Sequence, residues 1–386
     1  MTERPHPVAP RDQTRVTLLG LIRQRGSATR ADLVEATGFS RSTVGNAVAR
    51  LIEFGLVEEG AFADKGPGSG RGRPGLTLRA VASDVRVAAI DFGARHINVA
   101  IGDAFGNEIA RERHDVGLDA IEKLDLAASA LAALQASTGT SRLERVVAGI
   151  PKPVNRLTGL VQAPKVGDGW GGLAPAAEIE RRVGVVTHIE NDATLGAIGE
   201  HARGAARGVD DVLYVKVAHG IGSGLILGGA PYRGANGIVG NIGHCRLPDR
   251  TELCRCGHRG CLEAVAAIGA IDAQLAATHP GLDPREVLDE LDSTAERILI
   301  GAGRVLGKVL ADFCNLLAPE LVVLGGFIGA RYPAFVEGAA WAVDEYAAPA
   351  VSTSTRVVAA ELGMHAELLG GLVLAADLAA VPVAGA

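Results

Sequence analysis

Cysteine and histidine crowd one short stretch of the chain: His244 and Cys245, then Cys254-Arg255-Cys256-Gly257-His258-Arg259-Gly260-Cys261-Leu262-Glu263. Three thiolates and an imidazole satisfy tetrahedral zinc, and Gly257 and Gly260 permit the tight turn that gathers them. His244, Cys254, Cys256 and Cys261 are the expected ligands of a Zn2+, with Cys245 and His258 as local competitors. With all four positions filled by protein, no water is left to activate, so the expected role is structural. Cys314 stands apart and is expected to pack as a small core residue.

Three strand-to-glycine turns carry a second kind of chemistry. Strand 85–90 runs into Asp91-Phe92-Gly93, strand 212–217 into Gly220-Ile221-Gly222-Ser223-Gly224, and strand 321–324 into Gly325-Gly326. A carboxylate can face a metal cation while glycine lets backbone N–H groups approach a phosphate. Asp91, Gly93, Gly220, Gly222, Gly224, Gly325 and Gly326 are therefore candidate nucleotide-binding residues, and their spread predicts two related α/β lobes around a cleft. Between them, Glu190-Asn191-Asp192 joins a strand to a helix beginning at Ala193. Asn191 can hold a sugar hydroxyl and Asp192 can deprotonate it, although Asp192 also reads as an ordinary helix cap.

The elements before residue 80 predict a different module. Leu18, Leu19 and Ile22 form a helical stripe; Thr29 and Asp32 form a capping box for a second helix closed by Gly38. Ser40 caps a third, with Val44, Val48, Leu51 and Ile52 on one side. Arg30 and Ser40, together with Arg41, Ser42, Thr43, Asn46 and Arg50 on the other side of that third helix, are the expected DNA contacts of a winged helix-turn-helix. Two short strands bracket Arg71-Gly72-Arg73-Pro74, whose arginines suit the narrow minor groove of A·T-rich DNA; a solvated linker is the alternative for that tip. A single such module grips few phosphates, which predicts a homodimer or homotetramer on a roughly palindromic double-stranded operator.

Charge follows the same division. Residues 1–80 hold 12 Lys and Arg against 8 Asp and Glu, and the other 306 hold 26 against 36, so a basic module sits on an acidic body. The opening MTERPHPVAPRDQ lacks the apolar run of a signal peptide, no stretch reads as a membrane span, and a cytoplasmic protein without membrane contact is expected. In a reducing compartment the clustered cysteines point to metal rather than to disulfides. The expected organisation is a winged helix-turn-helix over 1–80, a first α/β lobe over 84–192 completed by a C-terminal helix at about 365–386, and a second lobe with the zinc segment over 193–364.

Taken together, the cysteine segment, the glycine turns and Asn191-Asp192 resemble the ROK family of repressors and sugar kinases, over nearly the whole chain. The resemblance implies a two-lobed actin-like ATPase fold of the sugar-kinase type. It also implies that Asp192 holds the position of the kinases' catalytic base, that Asn191, His244 and Glu263 lie at sugar-contacting positions, and that His244 doubles as a zinc ligand. The added N-terminal module is similar to that of the family's regulators, so a sugar-controlled repressor of carbohydrate genes is expected, with an active ATP-dependent sugar kinase, or a ligand-free DNA-binding protein, as alternatives. Departures favour the regulator. Ala94-Arg95 replaces the kinases' Gly-Thr in the first phosphate turn and Ala218-His219 replaces Gly-Thr in the second, which argues against Mg-ATP as a cofactor. Lys165 and Asn241 replace an amide and a carboxylate of the sugar pocket, a change toward positive charge that predicts an anionic effector such as a sugar phosphate or sugar acid.

Overall fold

The computed structural model describes residues 10–53, 55–62, 76–81, 85–162 and 169–380. The N-terminal module comprises α1 (Pro10–Arg25), β1 (Ala28–Thr29), α2 (Arg30–Thr37), α3 (Arg41–Glu53), β2 (Val57–Phe62) and β3 (Leu76–Ala80). Its local signals act as their chemistry dictates. The Thr29 side chain accepts from the Asp32 N–H while Asp32 accepts from the Thr29 N–H, and Gly38 closes α2 in the left-handed conformation, donating to the Val34 carbonyl. The strands form an antiparallel sheet in the order β1-β3-β2, whose two-residue β1 the sequence pattern did not announce. Leu18, Leu19, Ile22, Leu33, Val44, Val48 and Leu51 are fully buried together.

The body repeats one plan twice. Its first sheet holds β4 (Arg86–Phe92), β5 (His96–Asp103), β6 (Glu108–Asp115), β7 (Arg145–Ile150) and β8 (Thr187–Asn191), with α4 (Ala120–Thr138) and α5 (Pro175–Val183) in the connections. The order is β6-β5-β4-β7-β8: an antiparallel meander of three strands extended by two parallel ones. After α6 (Asp192–Arg203) come β9 (Val212–Val217), β10 (Ile221–Leu227) and β11 (Ala230–Tyr232), then α7 (Leu262–Ala266), α8 (Ile268–Thr278), α9 (Pro284–Asp289), α10 (Ser293–Leu317) and β12 (Leu321–Gly325). The chain ends through α11 (Gly326–Arg331), α12 (Pro333–Tyr346), α13 (Pro349–Ser352), β13 (Arg356–Ala359) and α14 (Ala366–Ala379). The second sheet, β11-β10-β9-β12-β13, has the same order and the same strand directions as the first.

Helices α6 and α14 lie between the sheets. Leu195 and Ile198 of α6 join Leu368, Leu372 and Ala375 of α14 against Val87, Ala89 and Val147 of the first sheet. On the other side of α6, Ala193 and Ala197 pack with Val212, Tyr214, Ile226 and Val323 of the second. The C-terminal helix thus packs on the first lobe's sheet, and α6 belongs to both lobes at once. At its far end, Ala380 enters the core of the N-terminal module. No helix of the described residues is long and apolar enough to cross a membrane.

Candidate functional site: an exposed helix face, a metal cluster and the residues between the lobes

Burial of Val44, Val48 and Leu51 fixes which side of α3 faces outward, and Arg41, Ser42, Thr43, Asn46 and Arg50 are exposed there. The Ser40 hydroxyl accepts from the Thr43 N–H at 3.1 Å and shares hydrogen bonds with the hydroxyls of Ser42 and Thr43, which orders the first turn. Ser42, Thr43, Asn46, Ala47 and Arg50 line one side of a groove of about 580 Å3, and Thr14 and Arg15 of α1 line the other. Arg15 was not anticipated. Burial and the nearby Arg50 guanidinium both lower its pKa. Arg30, at the start of α2, lies 2.6 Å from Glu59 of β2, as Arg50 does from Glu53, both pairs being exposed. Arg71 and Arg73 of the wing tip, and Lys165, lie outside the described residues.

The side chains of His244, Cys254, Cys256 and Cys261 place their donor atoms within 4.8 Å of one another. The Cys256 and Cys261 sulfurs are 3.7 Å apart, and His244 Nδ1 is 3.8 Å from the Cys254 sulfur. A tetrahedron with metal–sulfur bonds of about 2.3 Å has edges of about 3.8 Å, so the donors stand where a metal ion fits. Cys245 packs against the second lobe's core instead, and His258, exposed, reaches only Cys256. Cys314 is fully buried in α10. The turn is pinned from both sides: the Cys254 N–H donates to the His258 carbonyl, and Gly260 is left-handed against the Arg250 carbonyl.

The cluster is joined to the cleft through Glu263, the second residue of α7. Its carboxylate accepts from Arg255 at 2.8 and 3.1 Å and from the Ile221 N–H at 3.1 Å. This carboxylate, an expected sugar contact, thus also joins the zinc segment to the second glycine turn. That turn is also tighter than expected. Only Gly220 lies in it, since Gly222 and Gly224 are paired in β10 opposite Lys216 and Tyr214 of β9. Gly224 is required there because α6 crosses it so closely that a side chain would overlap the Ala193 carbonyl. Gly325 packs directly on the Tyr214 ring, and Gly326, left-handed, turns the chain over the β9 backbone.

Across the cleft, Asn191 caps α6, its side chain accepting from the Ala193 and Thr194 N–H groups. The cap is thus Asn191 rather than Asp192, since Asp192 is already helical and turns its second oxygen inward. Asn241 is exposed at the start of a short 3-10 turn. Asp91, at the end of β4, is buried and accepts from Asn98 at 2.9 Å, and His96 lies 3.1 Å away. Burial opposes its charge, but His96 and Lys216 outweigh that and hold its carboxyl at about 2. Glu190 bridges the lobes: it is buried in β8, and Arg233 from the loop after β11 grips it at 2.5 Å.

A model of the ROK family matches residues 87–378. The chain belongs to the ROK family. It is similar to the xylose repressor of Bacillus spizizenii, 26% identical over 359 residues that cover 92% of each chain. It is also similar to the DNA-binding transcriptional dual regulator NagC of Escherichia coli, 27% identical over 372 residues that cover 92% of this chain and 90% of that one. Among solved structures, a ROK family transcriptional regulator described as a homolog of the E. coli MLC protein superposes with a TM-score of 0.76 at 21% identity, covering 96% of this chain and 97% of that one. At that identity the likeness is one of fold, and it takes in the N-terminal module as well as both lobes.

Among the described residues, an ion pair and a ring contact of Arg23 tie the same ROK body to that module beside Ala380. Arg23 of α1 lies 3.6 Å from Asp377 of α14 and 4.9 Å from the centre of the Phe105 ring, whose carbonyl accepts from Arg203 at the end of α6. Burial pushes the Asp377 carboxyl up to about 6, against the pull of Arg23 and Arg203. Arg23→Ala removes both contacts. The expected result is faster tryptic release of the module and a smaller effect of effector on operator binding, with metal content unchanged; equal cleavage rates in the two proteins would count against this joint.

Proposed function

We propose that the chain is a sequence-specific DNA-binding transcriptional regulator, acting as a repressor of carbohydrate-related genes, and that a sugar or sugar derivative in the interlobe cleft sets its affinity for the operator. The observation that carries this reading is the pair α6 and α14. One end of it holds Asn191 and Asp192 between the lobes, and the other holds Asp377 and Ala380 against the DNA-facing module, with Arg203 bonded to the Phe105 carbonyl beside them. A ligand that moves one lobe against the other displaces that end, and in a homodimer this alters the spacing of the two α3 helices. Arg15, Arg41, Ser42, Thr43, Asn46 and Arg50 are the proposed DNA contacts, with Arg71 and Arg73 reading A·T-rich minor groove beside a palindromic site. Asn191, Asp192, Asn241, His244, Glu263 and Lys165 are the proposed effector contacts, and a Zn2+ on His244, Cys254, Cys256 and Cys261 holds the cleft wall in place. Likeness to repressors named for xylose and for N-acetylglucosamine regulation supports a sugar ligand, and the positive substitutions favour an anionic one.

The test is fluorescence anisotropy on DNA fragments from upstream of sugar-utilisation genes, alone and with neutral sugars, sugar phosphates and sugar acids. Asn46→Ala should relax discrimination between operator and random DNA by about tenfold, the equivalent of one bidentate base contact worth ~1–3 kcal/mol. One class of sugar should release the wild-type protein. Equal affinity for all fragments, unmoved by every sugar, would refute the regulator reading.

A further inference from the structure

The cleft contains a cation of its own. Strand β9 reads Val212-Leu-Tyr-Val-Lys-Val217, and its alternation turns Tyr214 and Lys216 to the side where α6 and α14 run. Lys216 Nζ lies 3.0 Å from Asp192 Oδ2 and 3.1 Å from Glu367 Oε1, at the start of α14. Tyr214 donates to the same Glu367 oxygen at 3.2 Å. Asp91 feels the Lys216 charge as well, and its Oδ1, buried, has no hydrogen-bond partner. Three carboxylates drawn from β4, α6 and α14 thus surround one ammonium group.

A set of buried carboxylate oxygens beside two glycine turns is the arrangement that holds a divalent cation and the phosphates it accompanies. Every seat of that arrangement is taken by the chain. Lys216 occupies the carboxylate cage, and a second positive ion placed there would meet it at close range in a medium of low dielectric. Over the first turn, the His96 ring lies so close to Gly93 that even a methyl group would overlap it. At the second, the Ile221 N–H that a phosphate oxygen would take is given to Glu263, and Arg255 Nη2 and Glu263 Oε2 both lie 2.6 Å from the point where a side chain on Gly220 would begin. The chain itself supplies partners to these carboxylates. Asp91 accepts from Asn98 and lies beside His96, Asp192 pairs with Lys216, and Glu367, whose pKa burial raises against the pull of Lys216, shares the same ammonium. Burial opposes the Lys216 charge, but Asp192, Glu367 and Asp91 raise its pKa and keep it an ammonium. The residues present therefore do not fit a magnesium–nucleotide pair.

We infer that Lys216 is a built-in replacement for the divalent cation, and that with His96 and Glu263 it closes the nucleotide half of the cleft, leaving a pocket that takes its ligand without metal or nucleotide. Because Lys216 also joins Asp192 to Glu367, the substitution fastens the floor of the cleft to the first turn of α14. The inference concerns the same cleft as the effector reading but does not depend on it, and its test uses no sugar and no DNA.

Mn2+ binding to the full-length, zinc-loaded chain is measured by electron paramagnetic resonance, with and without ATP, for the wild type, for Lys216→Thr and for Asp91→Asn in the Lys216→Thr background. The wild type is expected to leave Mn2+ free at millimolar concentration, alone and with ATP. Lys216→Thr is expected to bind one equivalent at least tenfold more tightly than the wild type, and Asp91→Asn to abolish that gain. Wild-type binding of Mn2+ or of its ATP complex would overturn the inference, and so would a folded Lys216→Thr that gains none. If Lys216→Thr folds only when Mn2+ is supplied, the ion has taken the ammonium's place and the inference holds; failure to fold with Mn2+ present overturns it.

Discussion

Cys256→Ser is expected to lower bound metal from one ion per chain to almost none and to dismantle the segment between Cys245 and Glu263. Cys256 is, with His244, an exposed member of the cluster, yet its sulfur stands a tetrahedral edge from that of Cys261, so the hydroxyl that replaces it removes one of four donors and cannot be compensated by a neighbour. His258 reaches only the sulfur that the change removes, and Cys245 is held in the core. Structural zinc carries about 10–16 kcal/mol of apparent binding free energy in isolated fingers, and here part of that energy orders Arg255 and Glu263. Those two side chains brace the Gly220 turn, so loss of metal should reach the cleft as well as the cluster. Metal analysis and thermal denaturation of the two proteins read the outcome directly. A Cys256→Ser protein with full metal content and an unchanged midpoint would show that the cluster is not the anchor described here.

How far the sequence could be read follows from how far each interaction reaches along the chain. The cluster was legible because three of its four ligands fall within eight residues, and spacing that short fixes geometry. Capping of α2 by Thr29 and Asp32 and of α3 by Ser40 was legible for the same reason. The strand-to-glycine turns were found, but the purpose of their glycines was only partly assigned. Gly222 and Gly224 read as a phosphate loop because alternate glycines free the backbone, whereas Gly224 is needed for the passage of α6. Partners remote in sequence were missed altogether. Nothing near Glu367 announces Lys216, nor does anything near Arg23 announce Asp377, because each pair forms only once the two lobes have closed on α6 and α14. One signal for Lys216 was present: it is the single charged residue in the strand Val212–Val217, and a lysine inside a buried strand requires an anionic partner.

At the joint between α6 and α14 a single methyl group should cost several times what it gains. At Gly370 a β-carbon would overlap the Leu195 carbonyl of α6 and lie 2.8 Å from the Gly199 N–H; at Gly199 it would overlap the Ala366 carbonyl of α14. The two backbones therefore touch at this crossing, and the atoms in the way are main chain, which cannot rotate aside as a side chain can. Gly370→Ala gains about 1 kcal/mol of helix propensity and should lose more than that to overpacking, for a net destabilisation of roughly 2–3 kcal/mol. Gly301→Ala is the matching control. That glycine lies exposed within α10 with nothing near its missing β-carbon, so there the propensity gain of about 1 kcal/mol should appear unopposed. Chemical denaturation of both variants gives the comparison, and operator binding gives its consequence: forcing the helices apart separates the cleft, which α6 enters at Asp192, from the module that α14 meets at Asp377. Gly370→Ala should accordingly answer its sugar weakly even at temperatures where it remains folded, while Gly301→Ala answers as the wild type does. Equal stability changes in the two variants would mean that the crossing yields, and a pair of helices that yields there could not carry a displacement from the cleft to the DNA.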